Sequence, residues 1–180
     1  MSDADPPLAP TDRSLRLDHP TVDDGAAMWR IARDSAVLDV NSPYAYLLWC
    51  RDFAATSAVA RLGDDDTVVG FVTGYVRPDD RSVVMVWQVA VDAVARGHGV
   101  AGALLDRVFD AARRHEPAIA YLETTITDDN TASRALFASF AARHDAPLVT
   151  SPLFEASTFP ADTGEQHAAE VLHRIGPISH

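Results

Sequence analysis

The spacing of hydrophobic positions changes along this chain, and each change marks a predicted element. A helix is expected from the cap residue Thr21 to about Ser35, and the pair Ser42-Pro43 starts a second, apolar helix over 44–53. Three β-rich stretches bounded by turn residues follow. These stretches are 57–62, 68–76 and 83–91.

Beyond residue 91 the apolar positions repeat at helical spacing, as at Leu104, Leu105, Val108 and Phe109. The other predicted elements are strands at 119–127 and 147–153, a helix at 131–142, and short strands at 15–17 and 170–175. A helical pair, then antiparallel strands, then a strand–helix–strand unit predicts the α+β class. We expect a mixed, mostly antiparallel sheet flanked by helices.

The chain divides into a short lead-in and one domain. Residues 1–14 contain three prolines and no apolar period, so we expect them to be disordered and 15–180 to form a single domain. Asp3 and Asp5 occupy the place where an export signal carries basic residues. No stretch has the roughly 20 apolar residues of a membrane span. We therefore expect a cytoplasmic protein with no membrane partner.

Composition narrows the function further. The formal charge of −11 disfavours nucleic acid as a partner and favours small cationic molecules. Every basic residue is arginine, which excludes catalysis through a lysine Schiff base. Cys50, the one cysteine, lies among apolar residues and is expected to be a buried, unreactive thiol. The histidines show no ligand spacing with one another or with Cys50, so no metal site is expected.

The strongest local signal is the segment Arg96-Gly97-His98-Gly99-Val100-Ala101-Gly102, between a predicted strand and a predicted helix. Glycines let a backbone approach a ligand closely, and the free N–H groups at the start of a helix attract anions. The segment therefore predicts a phosphate-binding loop over residues 96–101.

Two alternatives to that interpretation remain. Gly97, Gly99 and Gly102 also fit G-x-G-x-x-G, the dinucleotide fingerprint of many oxidoreductases. The context disfavours it, because residues 92–95 separate the loop from the strand, and Glu123 lies too late to be the acidic residue expected about 20 positions on. The second alternative is a glycine loop that binds no ligand.

Written as R-x-x-G-x-A, the same loop resembles the acetyl-CoA loop of the GNAT superfamily of N-acetyltransferases. The resemblance to the superfamily as a whole covers roughly residues 15–153. The resemblance implies a GNAT-like acyl-CoA N-acyltransferase fold, acetyl-CoA as cosubstrate, and a separation of strands that admits the thioester. The cofactor-binding residues it implies are Val89 and Val91, for the pantetheine amides, and the backbone of Arg96, Gly97, His98, Gly99, Val100 and Ala101, for the pyrophosphate.

Asn130, at the start of the next helix, resembles the superfamily's second motif, in which an Asn contacts the CoA arm. A helix cap is the alternative. Many members carry a tyrosine seven residues later that protonates the departing thiolate, but this chain has Phe137 there. Because a phenyl ring cannot donate a proton, no general acid is assigned.

More particular phrases lie at 38–46, 86–91 and 122–126, with weaker ones at 164–167 and 174–177. Together they resemble the diaminobutyrate acetyltransferases of ectoine biosynthesis. That resemblance implies acetyl transfer to the γ-amino group of L-2,4-diaminobutyrate, a small diamino acid, and it suggests a homodimer. A GNAT enzyme acting on another small amine and a non-catalytic acyl-CoA-binding module are the alternatives.

Five residues are candidates for the substrate site. Glu123 lies mid-strand, where an unpaired charge is costly, and is the candidate base for the γ-ammonium; pairing with an arginine is its alternative. Asp39 and Tyr44 are expected in a lid over the substrate, their alternatives being a surface turn and a core aromatic. Trp87 is expected against the aliphatic part of the substrate or in the core. His167 is expected at the substrate mouth or covering the sheet.

Overall fold

The described residues form one seven-stranded sheet with helices on both faces. The computed structural model describes residues 15–35, 37–63, 66–160 and 167–179, so the predicted lead-in at 1–14 lies outside the described residues. The strands are β1 (Leu15–Asp18), β2 (Ala58–Leu62), β3 (Thr67–Val76), β4 (Val83–Val91), β5 (Tyr121–Ile126), β6 (Leu148–Phe154) and β7 (Glu170–Ile175). The helices are α1 (Gly25–Asp34), α2 (Pro43–Asp52), α3 (Val100–His115) and α4 (Thr131–Arg143). The strand order is β1-β2-β3-β4-β5-β7-β6.

The predicted mixed, mostly antiparallel sheet is confirmed. In this sheet β4 and β5 are the parallel pair, and α3 makes the crossover that a parallel pair requires. The first helix begins later than predicted, at Gly25, because the Asp24 carboxylate accepts the Thr21 N–H and residues 22–24 form a 3-10 turn. The last strand, β7, lies between β5 and β6, a long-range pairing that hydrophobic periodicity cannot indicate.

Two hydrophobic clusters hold the helices against the two faces of the sheet. On one face α3 and α4 bury large apolar side chains, including Leu104, Phe109 and Phe140. On the other face α1 and α2 bury Met28 and Tyr46, among others, against β2, β3 and β4. Burial of one such side chain stabilises a fold by about 1.5–3 kcal/mol. The central strands β3 and β4 are thus fixed from both sides.

A β-bulge in β4 interrupts the centre of the sheet. Gly74 pairs with Val86 and Thr73 pairs with Gln88, so Trp87 has no partner on β3. Such an extra residue bends its strand and disrupts the ladder. A Cβ on Gly74 would lie 2.9 Å from the Thr56 carbonyl oxygen, so the backbones approach at the bulge more closely than another residue allows.

The bulge lies just beyond the point where β4 and β5 stop pairing. The parallel ladder runs only from Val83 to Met85 on β4, opposite Tyr121 to Glu123 on β5. From the bulge to Val91, β4 is paired on its β3 side, and its β5 side lies outside that ladder. The fold therefore contains an opening between two central strands.

One buried polar group in this sheet lacks a partner. His173 on β7 is 7% exposed, and its Nδ1 has no hydrogen-bond partner in the described part of the chain. Burial, and secondly the nearby Arg134 guanidinium, lower the pKa of His173 below its usual value, although the Asp128 carboxylate acts in the opposite direction. The fold therefore favours the neutral imidazole.

We predict that His173 makes the fold less stable in mild acid. Below its ordinary pKa of about 6.5 the unfolded chain binds a proton that the folded chain disfavours, so stability is lost as the pH falls. Urea unfolding between about pH 7.5 and 5 should show a steeper loss for the native protein than for His173→Gln. The exposed His115 on α3 provides the control, since His115→Gln should keep the native slope. A His173→Gln slope equal to the native one would contradict this prediction.

Candidate active site

Two adjoining cavities form a cleft at the carboxyl end of β4. The larger has a volume of about 690 Å³ and lies between residues 95–103 and α4. The smaller, of about 330 Å³, lies between the end of β4, the segment after α1 and the start of α4. Residues lining both cavities are Val91, Arg96, Ala101, Ala132 and Leu136. The cleft is therefore continuous along the glycine loop.

The backbone of the loop requires glycine at two positions. Gly97 and Gly99 have φ angles of 79° and 74°, in the left-handed region, and Gly99 is the residue before α3. A Cβ at either position would meet no atom within 4 Å. The strain of the backbone, and not a clash, thus selects glycine, and the space above the loop is open to a ligand.

Of the two large side chains in the loop, Arg96 lines the cleft and His98 does not. The Arg96 Nε donates to the Val91 carbonyl over 3.0 Å, which fixes its side chain along both cavities. His98 is exposed, its Nδ1 lies 2.8 Å from the Arg96 carbonyl oxygen, and it is not a lining residue of either cavity. Only the backbone of His98, and not its side chain, is therefore available to a ligand in the cleft.

Asn130 caps a helix, as its alternative interpretation predicted, and it also borders the cleft. Its Oδ1 accepts the Ser133 N–H over 3.0 Å, which is an N-cap of α4. The same residue lines the smaller cavity opposite Val89 and Val91, on the part of β4 that lies beyond the β5 ladder. Phe137, at the α4 position where the resemblance implies a proton-donating tyrosine, is 1% exposed and belongs to the core.

Glu123 lies on β5 at the level where the β4–β5 ladder ends, and it is 2% exposed. Its Oε2 accepts from Arg77 Nη1 over 3.1 Å, and its Oε1 accepts from Arg174 Nη1. The Arg174 guanidinium also lies over the Tyr121 ring, 3.9 Å from its centroid. Glu123 is therefore paired with arginine, as its alternative interpretation required, and its role as a base stays a prediction.

An aromatic cluster lies near the same opening. Trp87, at the bulge, is 40% exposed and stacks on Trp49 of α2 with ring centroids 5.0 Å apart. Tyr75 of β3 also contacts Trp49. Tyr44 is 65% exposed in the first turn of α2, so its interpretation as a core aromatic is wrong. Both Trp87 and Tyr44 are accessible to a ligand.

The segment between α1 and α2 is tied to the bulge by Gln88. The Gln88 Nε2 donates to the Asp39 carbonyl over 2.9 Å, and its Oε1 accepts from the Tyr46 hydroxyl over 3.1 Å. Val37 and Leu38 of this segment line the smaller cavity, while the Asp39 side chain is exposed. Asp39 thus directly follows a residue that lines the smaller cavity, and its place in a lid over the substrate stays a prediction.

His167 is separate from this group. It lies in the segment before β7 and stacks on Phe159, with ring centroids 4.9 Å apart. In the described residues, no hydrogen bond or ring contact connects His167 with Glu123 or Trp87. Its place at the substrate mouth stays a prediction.

Among the described residues, neither Cys50 nor a cluster of metal-binding side chains forms a second reactive site. Cys50 is buried as expected, and burial, with the nearby Asp24 charge, raises the pKa of its thiol to about 11. Within the described ranges, no group of three or more His, Cys, Asp or Glu side chains could hold a metal ion. None of the helices in those ranges is both long and apolar enough to cross a membrane.

Sequence comparison identifies the family of proteins to which this chain belongs. The model of the acetyltransferase (GNAT) family matches residues 26–141, which include the bulge, the glycine loop and most of α4. The chain belongs to the GNAT family of acetyltransferases. The predicted GNAT-like fold is thereby confirmed. The alternative of a dinucleotide-binding oxidoreductase is not supported.

Within that family, the chain groups with the L-2,4-diaminobutyric acid acetyltransferases. It is 57% identical to the protein of that name from Streptomyces anulatus over 165 residues, 92% of this chain and 91% of the relative. Its identity to the Streptomyces coelicolor protein of the same name is 58% over 165 residues, 92% of this chain and 94% of the relative. The predicted family resemblance is confirmed.

A solved structure has the same fold. The diaminobutyrate acetyltransferase EctA from Paenibacillus lautus, in complex with its substrate L-2,4-diaminobutyric acid and coenzyme A, is 32% identical, with a TM-score of 0.84. The match covers 93% of this chain and 98% of that one. A putative acetyltransferase from Salmonella typhimurium, bound to acetyl-CoA, is 17% identical with a TM-score of 0.67 over 94% and 96% of the two chains, and supports the fold alone.

Proposed function

We propose that this chain transfers the acetyl group of acetyl-CoA to the γ-amino group of L-2,4-diaminobutyrate. The product is N4-acetyl-L-2,4-diaminobutyrate, a precursor for ectoine biosynthesis and hence for osmoprotection. One observation carries the proposal: the opening between β4 and β5 has a glycine loop at one end and a buried carboxylate at the other. The named relatives and the Paenibacillus lautus complex support the same activity.

The cleft offers each part of acetyl-CoA a chemically suitable place. The N–H groups at residues 96–101 and the positive end of α3 suit the pyrophosphate. The edge of β4 at Val89 and Val91, beyond the β5 ladder, suits the pantetheine amides, because such an edge presents N–H and C=O groups. The thioester would then reach the opening beside Trp87.

The amine would approach from the side of Glu123. An alkyl ammonium with an ordinary pKa near 10.4 is mostly protonated at neutral pH, so it must lose a proton before it attacks the thioester carbonyl. A carboxylate has about four acceptor sites, so contacts with Arg77 and Arg174 leave Glu123 able to bind an ammonium. We propose that Glu123 takes this proton directly or through a water molecule.

The leaving thiolate and the substrate carboxylate need different partners. A thiolate has an ordinary pKa near 8.5, below that of the amine, and can leave without a proton donor; this fits the buried Phe137. Arg77 and Arg174 are both partly exposed beside Glu123, and a guanidinium fork matches a carboxylate. We propose that one of them holds the α-carboxylate, which would direct the γ-nitrogen to the thioester.

The location and assembly of the protein are part of the proposal. We propose that residues 15–180 form one domain in the cytoplasm. We also propose a homodimer, because the edge strand β6 exposes Val149, Leu153 and Phe154, and exposed apolar patches mark contact surfaces. Sedimentation velocity should give the mass of two chains at micromolar concentration, and the mass of one chain would contradict the dimer.

The activity is tested by thiol release from acetyl-CoA with four amines: diaminobutyrate, ornithine, lysine and putrescine. We expect diaminobutyrate to have the highest kcat/KM, and NMR of the product to place the acetyl group on the γ-nitrogen. Preference for another amine would discard the proposed substrate and keep the acetyltransferase. No thiol release with any of the four would favour a non-catalytic acyl-CoA-binding module.

Glu123→Gln tests the proposed base. Because a neutral amide cannot accept the proton, we expect kcat to fall by about 100-fold or more, while CoA affinity measured by calorimetry stays near the native value. Glu116→Gln is the matched control, since Glu116 also pairs with an arginine, Arg81, but lies just after α3 and not on β4 or β5. A Glu123→Gln enzyme with near-native kcat would show that Glu123 has only a structural role.

A further inference from the structure

The larger cavity extends past the glycine loop to a second arginine. Its charged lining residues are Arg96, Asp106 and Arg143. Arg96 lines both cavities, whereas Arg143, near the end of α4, lines only the larger one. Arg143 therefore lies at the end of the cleft away from Val89, where the acetyl-bearing arm of the cofactor is proposed to lie.

Arg143 is close to the proposed pyrophosphate site. Its Nη2 lies 3.4 Å from the Gly102 carbonyl oxygen, in the first turn of α3. A Cβ on Gly102 would be 3.5 Å from the same nitrogen. The guanidinium thus contacts Gly102, which directly follows the loop in the chain. CoA carries a phosphomonoester on the ribose that is attached to the pyrophosphate, and Arg143 is a cation that lines the larger cavity but not the smaller one.

The present partners of Arg143 leave it able to bind a stronger anion. Its Nη2 donates to both Asp106 oxygens at 3.1 Å, and its Nη1 donates to the Ser139 hydroxyl at 3.1 Å. The Arg143 and Asp106 side chains are 39% and 38% exposed, so their pairing is weak and open to exchange. A phosphomonoester carries a charge of about −1.5 to −2 at neutral pH, more than a carboxylate.

Asp106 would not be left alone by such an exchange. The His144 Nε2 lies 2.9 Å from the Asp106 Oδ1, so this imidazole can keep the carboxylate paired. The Arg143 guanidinium also lies over the Phe140 ring, 5.8 Å from its centroid, which keeps its side chain on the cleft side of α4. The cluster formed by Arg143, Asp106, Ser139 and His144 is called the α4 cluster below.

We propose that the α4 cluster is a subsite for the ribose 3′-phosphate of CoA, with Arg143 as the binding cation and Asp106 as its competitor. This inference rests on the proposed use of acetyl-CoA. In the absence of cofactor, Asp106 holds Arg143; when CoA binds, the phosphomonoester takes its place and Ser139 donates a further hydrogen bond. The subsite makes the enzyme prefer CoA over dephospho-CoA, which lacks only this phosphate.

Calorimetric titration with CoA and with dephospho-CoA tests the subsite. The native protein should bind CoA more tightly, by about fivefold or more at low salt, and the preference should shrink as salt is added. Arg143→Gln should abolish most of that preference, whereas Arg143→Lys should keep part of it. Equal affinity of the native protein for the two ligands would overturn the subsite alone, and failure to bind either would overturn the proposed function with it.

Asp106→Asn separates a binding role from a structural one. Removing the competing carboxylate should increase the preference for CoA, in the opposite direction to Arg143→Gln. If the pair served only to join α3 to α4, both variants would lower the melting temperature and leave the ratio of the two affinities unchanged. The exposed Arg114 of α3 supplies the charge-matched control, and Arg114→Gln should keep the native ratio.

Discussion

The early end of the β4–β5 ladder is the constraint on which the rest of the site depends. Three residue pairs hold the parallel strands together, and β4 has its bulge at Trp87, just beyond the last of these pairs. Gly74 permits the close backbone contact that the bulge requires. Two core clusters pack against β4 from both faces, so the opening is built into the core of the fold.

In the proposed function, the opening has a site for the anionic cofactor at one end and a site for the cationic substrate at the other. In the proposed complex, backbone N–H groups and Arg96 would attract the phosphates of the cofactor, while the buried Glu123 would attract the ammonium of the substrate. Neither side needs a long loop, because only residues 92–95 separate β4 from the glycine loop and β5 itself carries the carboxylate. The net charge of −11 adds a general attraction for a cationic diamine, which salt weakens.

Local patterns in the sequence were sufficient for much of this account. Periodicity indicated most strands and helices, and Gly97 and Gly99 indicated the loop, because left-handed φ angles and phosphate binding both select glycine. Pairing of Glu123 with an arginine was one alternative, but the particular arginines were not indicated, since Arg174 reaches it only through the insertion of β7 beside β5. Gln88 was also missed, although an amide within an apolar strand was a usable signal. The bulge at Trp87 depends on backbone register, which composition does not encode.

A crystal structure with CoA and diaminobutyrate would show directly whether the two substrates meet in the opening between β4 and β5. We predict that the pantetheine arm hydrogen-bonds to the edge of β4 between Trp87 and Val91, with the pyrophosphate on the N–H groups of residues 96–101. We also predict that the γ-nitrogen lies within hydrogen-bond distance of Glu123 and faces the sulfur. A γ-nitrogen on another side of the sheet, or a Glu123 carboxylate bound only to Arg77 and Arg174, would contradict the account.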